Sequence, residues 1–291
     1  MGQEANNFFR NKIISCDQGL MVTKFGTVEL GAVNCCRRFN RGFYFSDYID
    51  YIRGKGVIDP NSSLNRLCNL AGFFPNSMDL YKKFVDLYLD DMNDIDILGS
   101  YIDEESYLQD KLDKCKKIDP MGYLTPYSWK NPWTSALTGK KVLVVHPFTD
   151  SISYQYEKRQ FLFKDENVLP EFGDLFLVKA VQSIAGNGKD TGFKDWFEAL
   201  QSMEDKIDSY DYDVALIGCG AYGMPLAAHC KRKGKIGIHM ASWVQMLFGI
   251  YGTRWADKNN PYSKFINEYW VRPQDGEKPK NFKSVEDGAY W

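Results

Sequence analysis

Residues 213–240 read as one βαβ unit. Asp213-Val214-Ala215-Leu216-Ile217 is a short apolar run, Gly218-Cys219-Gly220-Ala221-Tyr222-Gly223 a glycine turn, and a helical run continues to Lys233. Lys235-Ile236-Gly237-Ile238-His239 is a second apolar run. Two buried strands joined through a helix are expected to lie parallel, because a parallel crossover needs a connection of about that length. In a turn of the form G-x-G-x-x-G the first glycine is expected to permit the tight turn. The second lets a ligand approach the backbone, and the third lets helix and strand pack closely. Pro225 suits the first helical turn, where its missing N–H leaves nothing unpaired. Free N–H groups and the helix dipole make such a start a seat for a diphosphate. The same spacing also serves a plain strand-to-helix connection that binds nothing.

The residues beyond the glycines narrow the ligand. Dinucleotide enzymes place an acidic residue about twenty positions after the turn, to hold a ribose. Here the second strand ends in His239 and Met240, with no carboxylate before Asp257. No NAD or flavin is therefore expected, and a methyltransferase reading weakens for the same reason. A nucleoside diphosphate carrying another group fits.

Lys and Arg total 36 against 38 Asp and Glu, which gives no support for nucleic-acid binding. The seven cysteines show no CxxC spacing and suit a reducing cytosol, with Cys35-Cys36 read as structural. The three histidines (His146, His229, His239) have no zinc-site spacing. Residues 2–12 are polar and no apolar run reaches membrane-spanning length, so a cytoplasmic protein is expected, with room for peripheral attachment at the inner face of the membrane.

Along the chain, Phe8–Ser15 reads as a short helix, and Leu20–Phe25 as a strand ended by Gly26. Thr27 is expected to cap the next helix, which carries Glu29, Cys35 and Cys36. Lys24, Thr27 and Glu29 thus gather at the carboxyl end of a strand, where open α/β sheets bind ligands. Glu29 equally suits the positive end of the helix. Residues 43–135 look helical and aromatic, an insertion with Tyr81, Phe84, Val85, Tyr88 and Met92 as a core-facing stripe. Within it, residues 95–99 suit a short strand and residues 104–117 a charged surface helix. The proline-rich and aromatic segment 119–133 reads as an irregular loop, either a packed connection or an acceptor-binding wall.

Lys141–Val145 is the clearest buried strand, and His146 at its end can contact phosphate, move a proton or simply hold a loop. Leu175–Val178 is another strand, and residues 193–207 form an amphipathic helix leading back to Asp213. Residues 243–250 suit a short apolar helix, and 261–291 a polar, aromatic tail. No repeat or linker divides the chain, so residues 1–291 are expected to form one domain. With about six short strands alternating with helices, the class is α/β, a mostly parallel Rossmann-like sheet flanked by helices.

Lys24-Phe25-Gly26-Thr27-Val28-Glu29, together with Gly218–Gly223 and Ile238-His239 far downstream, resembles glycosyltransferases of the GT-D fold. These bacterial enzymes help build capsular and surface polysaccharide or glycoprotein glycans. The segments 132–133, 139–148 and 267–273 are similar to polysaccharide-cluster members of that group, so the resemblance covers most of the chain. The family signature is Arg-Phe-Gly-Asp-Gly-Glu, in which an Asp-x-Glu pair serves the nucleotide-sugar and metal site. Here Lys24 stands for Arg, Thr27 for Asp and Val28 for Gly, so only Glu29 of the carboxylate pair is present.

The resemblance implies transfer of a sugar from a nucleoside-diphosphate sugar to a growing surface or capsular glycan, free or lipid-linked. Such transfer needs a diphosphate seat, charge compensation as the diphosphate leaves, and a base for the acceptor hydroxyl. The seat falls to the turn at Gly218, Gly220, Tyr222 and Gly223 or to the helix start after Gly26. Lys24, His146 and His239 are candidates to meet the leaving phosphate. Glu29 is placed on a metal or the ribose, and Glu171, after Leu169-Pro170, is a guess at the base. Mn²⁺ or Mg²⁺ is the cofactor implied, and Thr27-x-Glu29 in place of Asp-x-Glu argues for weak metal dependence. Two rival readings stand beside it: a dinucleotide-dependent oxidoreductase, and a non-catalytic relative that binds a sugar nucleotide or a partner glycosyltransferase. Self-association is compatible with either.

Overall fold

Seven short strands, whose successive side chains point to opposite faces, make the central sheet. In the computed structural model, which describes residues 1–54 and 58–291, these are β1 (Leu20–Thr23), β2 (Ile97–Gly99), β3 (Lys116–Ile118) and β4 (Lys141–His146). They continue with β5 (Asp174–Lys179), β6 (Val214–Ile217) and β7 (Ile236–His239). All pair in parallel, in the order β3-β2-β1-β7-β6-β4-β5. The chain is an α/β protein with a Rossmann-like sheet. Residues 55–57, inside the expected 43–135 segment, lie outside the described residues.

Met21, Leu98, Leu143, Val145, Ala215 and Ile217 point to one face. There they meet α2 (Thr27–Arg41) and, beyond α3 (Phe45–Ile52), α4 (Pro60–Ala71), α5 (Met78–Asp91) and the helices Trp196–Asp208 and Gly223–Arg232. Leu20, Val22, Val142, Val144, Leu216 and Ile238 point to the other, against α1 (Gly2–Ile14), Trp133, Phe148, Trp255, Trp270 and Trp291. Burying both faces of every central strand is what makes their sequences continuous apolar runs. Connections toward the β3 edge cross the first face and those toward the β5 edge cross the second, as a single hand of crossover requires. The expected stripe at Tyr81, Phe84, Val85, Tyr88 and Met92 is buried on the first face.

The structure differs from expectation in several places. Residues 104–117 are not one surface helix: a 3-10 turn (Asp103–Leu108) and a single helical turn (Gln109–Leu112) lead into β3. So the 43–135 segment supplies two of the seven strands. The first helix begins at Gly2, six residues before the expected start. Gly26, not Thr27, is the N-cap of α2, and no side chain caps it; Thr27 is the first helical residue and is exposed. The segment 119–133 is a packed connection, with Tyr123 and Trp133 in the core. Its Pro120, Met121 and Leu124 also line a cleft at the carboxyl ends of the strands.

Candidate functional site

The chain leaving β1 and β6 passes to one face of the sheet, and the chain leaving β4 and β7 passes to the other. Between those divergent exits lies the cleft, of about 490 Å³. This is where the topology of an open α/β sheet leaves a crevice for a ligand.

Several helix starts border this cleft, and three of them differ in how their N-termini are met. At α2 the Glu29 carboxyl folds back: it accepts from its own backbone N–H, and a Cβ added to Gly26 would sit 2.0 Å from Glu29 Oε2. Burial raises the Glu29 pKa, its own N–H and the Lys24 charge opposing. At the helix Thr149–Tyr156, buried Glu277 accepts from the N–H groups of Asp150 (2.9 Å) and Ser151 (3.2 Å). Both of these positive ends are therefore met by the chain's own carboxylates. The third, entered through Gly218–Gly223, has no such partner. The N–H groups of Gly220 and Ala221 make no hydrogen bond among the described residues, and no side chain caps the helix.

The glycines that shape this start do so in a different division of labour from the one expected. Gly220 makes the turn, with φ of +59°, and a Cβ there would also come within 3.1 Å of the Ala71 carbonyl oxygen. Gly218 is needed for close packing: its Cβ would stand 2.4 Å from the Ala241 carbonyl oxygen and 2.9 Å from the His146 ring. At Gly223 the Cβ would collide with the His239 imidazole at 2.3 Å. Tyr222 stacks on Trp196 at 4.8 Å, with its hydroxyl 3.2 Å from Ser183 Oγ, so it forms the wall behind the turn.

Of the sequence candidates, the fold brings Lys24, Gly26, Thr27, Glu29, His146, Gly218, Gly220, Tyr222 and His239 to this one cleft. Lys24 Nζ donates to the Phe25 carbonyl (3.1 Å) and to the Tyr101 hydroxyl (3.0 Å), which leaves one of its three N–H bonds for a ligand. His146 Nδ1 accepts from the Phe148 N–H, and burial pushes its pKa down to about 3. The ring is then neutral, with its proton on Nε2. His239 is also held neutral, near 3, by burial and then by the Lys24 charge.

The nitrogens of His239 do not reach a ligand as expected. Nδ1 lies 3.0 Å from Thr23 Oγ1, and Nε2 is buried against Gly223 without a partner. Glu171 is not in the cleft either. Its backbone carbonyl receives the Gly139 N–H ahead of β4, at the opposite end of the sheet, and its side chain is 79% exposed beside Arg159.

Several cleft residues carry no mark in the sequence. Tyr101, Trp243, Arg254, Glu286, Tyr290 and Trp291 form its outer wall. Arg254 pairs with Glu286 and lies 5.0 Å from the Tyr290 ring centre, so the 261–291 tail closes back over the strand ends. The density of aromatics is the only sequence signal for this wall.

A divalent cation does not fit the donors present. Glu29 is the one cleft carboxylate free of an arginine, Lys24 lies close to it, and Thr27 offers a neutral hydroxyl. Among the described residues no group of three His, Cys, Asp or Glu side chains is arranged around a common point. Comparison with known proteins finds no matching family model, no similar curated protein and no similar solved structure. Among the described residues no helix is long and apolar enough to cross a membrane.

Proposed function

We propose that the cleft binds a nucleoside-diphosphate sugar and that the protein transfers the sugar to a glycan acceptor. One observation carries this reading. The helix start at Gly220, unlike those of α2 and of Thr149–Tyr156, is not met by a carboxylate, and the neutral His146 ring lies beside Gly218 in the same turn. Unpaired N–H groups with a neutral donor and a tethered ammonium, Lys24, suit a diphosphate better than any uncharged ligand.

In this reading the acceptor hydroxyl oxygen bonds to the anomeric carbon as the bond from that carbon to the diphosphate oxygen breaks. The electron pair departs with the diphosphate, where the Gly220 N–H group, His146 and Lys24 meet the developing charge. The proton of the hydroxyl passes to the ionised Glu29 carboxylate, which burial makes a stronger base than a free one. Trp243 and Tyr101 supply flat faces for the base or sugar.

The test is release of nucleoside diphosphate from a panel of UDP-, GDP-, ADP- and dTDP-sugars, for wild type and His146→Ala. Turnover of one donor, cut far more than the melting temperature by the substitution, is the expected result. No turnover, with cofactor absorbance in the purified protein, would favour the oxidoreductase instead.

A further inference from the structure

Helix α3 turns its polar side inward and its apolar side out. Its one buried residue is Asp47, whereas Phe45 and Ile52 are 80% and 81% exposed. At helical spacing Phe45, Tyr48, Ile49, Tyr51 and Ile52 fall on one arc, and Asp47 and Asp50 fall on the other. The acidic arc is what ties the helix down. Asp47 accepts two hydrogen bonds from the Arg41 guanidinium, each of 2.9 Å, and one from the Tyr44 N–H at 2.8 Å. Arg38 Nε lies 3.2 Å from the same carboxylate, and Asp50 accepts from the Tyr107 hydroxyl.

The outward arc is part of a larger patch. Phe39 and Tyr44 are also exposed, and the rings of Phe39, Phe43 and Tyr48 follow one another with centres 6.4 and 5.9 Å apart. None of these side chains lines the cleft. Exposed apolar side chains gathered in this way mark an interaction surface, where scattered ones do not. The charge around them has one sign. Residues 37–54 carry four arginines against two aspartates, and both aspartates face arginine or tyrosine partners. Arg41 lies 4.3 Å from the Tyr44 ring centre, and the exposed Arg53 side chain has no partner among the described residues.

An apolar patch with a cationic rim is complementary to a surface that is apolar beneath and anionic at its edge, which is the chemistry of an anionic bilayer. Tyrosine rings suit its headgroup level, where one end of the ring is dry and the other wet. A second copy of the chain fits less well. Equivalent residues meet in a twofold contact, so Arg41 and Arg53 would face their own copies with no exposed carboxylate of the segment between them. We propose that α3 and its flanks are a membrane-docking surface, with Phe45, Tyr48 and Ile52 among the headgroups of an anionic bilayer and Arg41 and Arg53 at its phosphates. The helix lies in the plane of the surface, since its eight residues make only about 12 Å. α2 begins at the cleft and ends beside this patch, roughly 22 Å further along. Docking is therefore separable from the chemistry of the cleft.

Vesicle flotation tests it. The probes are vesicles of equal parts phosphatidylglycerol and phosphatidylcholine, and vesicles of phosphatidylcholine alone. Wild type is expected to float with the anionic vesicles, less so as salt is raised, and to bind phosphatidylcholine alone about tenfold more weakly. Phe45→Ser combined with Ile52→Ser should cut binding to the anionic vesicles about tenfold or more, and Arg53→Gln should lessen its salt dependence. Melting temperatures should be unchanged, because the substituted side chains are exposed. No flotation of wild type, equal flotation of the double variant, or equal binding to both vesicle types would overturn the proposal. Wild-type dimers in analytical ultracentrifugation that the double variant abolishes would also overturn it, by assigning the patch to a second copy.

Discussion

The backbone N–H of Phe148 donates to Nδ1 of His146 at 3.0 Å, two residues apart at the end of β4. This bond decides what the histidine can do. With its pKa pushed down to about 3 by burial, the ring is neutral and carries its proton on Nε2. It donates a hydrogen bond to a leaving phosphate but does not shuttle a proton near neutral pH. Nitrogen NMR of His146 should therefore report the Nε2–H tautomer, unchanged from about pH 5 to 8.

The same burial has a consequence for stability. His146 and His239 both have folded-state pKa values near 3, below the unfolded value. Their stabilising contribution is fully present above about pH 6.5 and is lost as pH falls toward 3, because the unfolded chain then binds protons the folded chain refuses.

Asp91 behaves in the opposite sense. Burial pushes its pKa up to about 7, although Arg232 Nη2 lies 2.7 Å away and opposes the shift. A raised carboxylate pKa means that stability is greatest below about pH 4 for this group and declines as pH rises through 7. Asp91→Asn should remove that decline. Urea melts at pH 5 and pH 8 check it: the variant is expected to gain on wild type at pH 8, and an equal difference at both values would contradict the assignment.

Gly220→Val should be costly in two ways. The left-handed backbone and the Ala71 carbonyl oppose any side chain, at a cost of about 1–3 kcal/mol. The branched side chain also covers the free N–H groups, so nucleotide binding should be lost while a cooperative melt remains. Calorimetry showing wild-type affinity for a donor would remove this turn from the site.

Thr27→Asp should create metal affinity that the donor set now lacks. The exposed first residue of α2 would place a carboxylate two positions before Glu29. Titration of Mn²⁺ alone into wild type and variant is the measurement, and a rise confined to the variant is expected. Strong binding by wild type would show that other residues complete a metal site.

Much of the sheet is legible in the sequence because its central strands are buried on both faces and read as unbroken apolar runs. β3 is not: Lys116-Lys117-Ile118 forms an edge, where charge is tolerated, so its residues look like the surface of a helix. The glycine turn is visible, but its division of roles is not. Whether Gly218 turns or packs depends on Ala241 and His146, which arrive from distant parts of the chain. Glu29 stands out at a strand end, though nothing local tells that its carboxyl folds over Gly26. Arg254 and Glu286 sit in short turns without periodicity, so no pattern marks them as cleft residues.

Lys24 gives the most direct test of the donor site, because its ammonium is tethered by Phe25 and Tyr101 at the cleft and holds up no core packing. Calorimetric titration of the nucleoside-diphosphate-sugar panel into wild type, Lys24→Arg and Lys24→Met is the decisive measurement. Wild type should bind at least one donor, Lys24→Met should lose about tenfold or more in affinity, and Lys24→Arg should retain most of it. No binding of any donor by wild type, or equal binding by Lys24→Met, would contradict a diphosphate in this cleft.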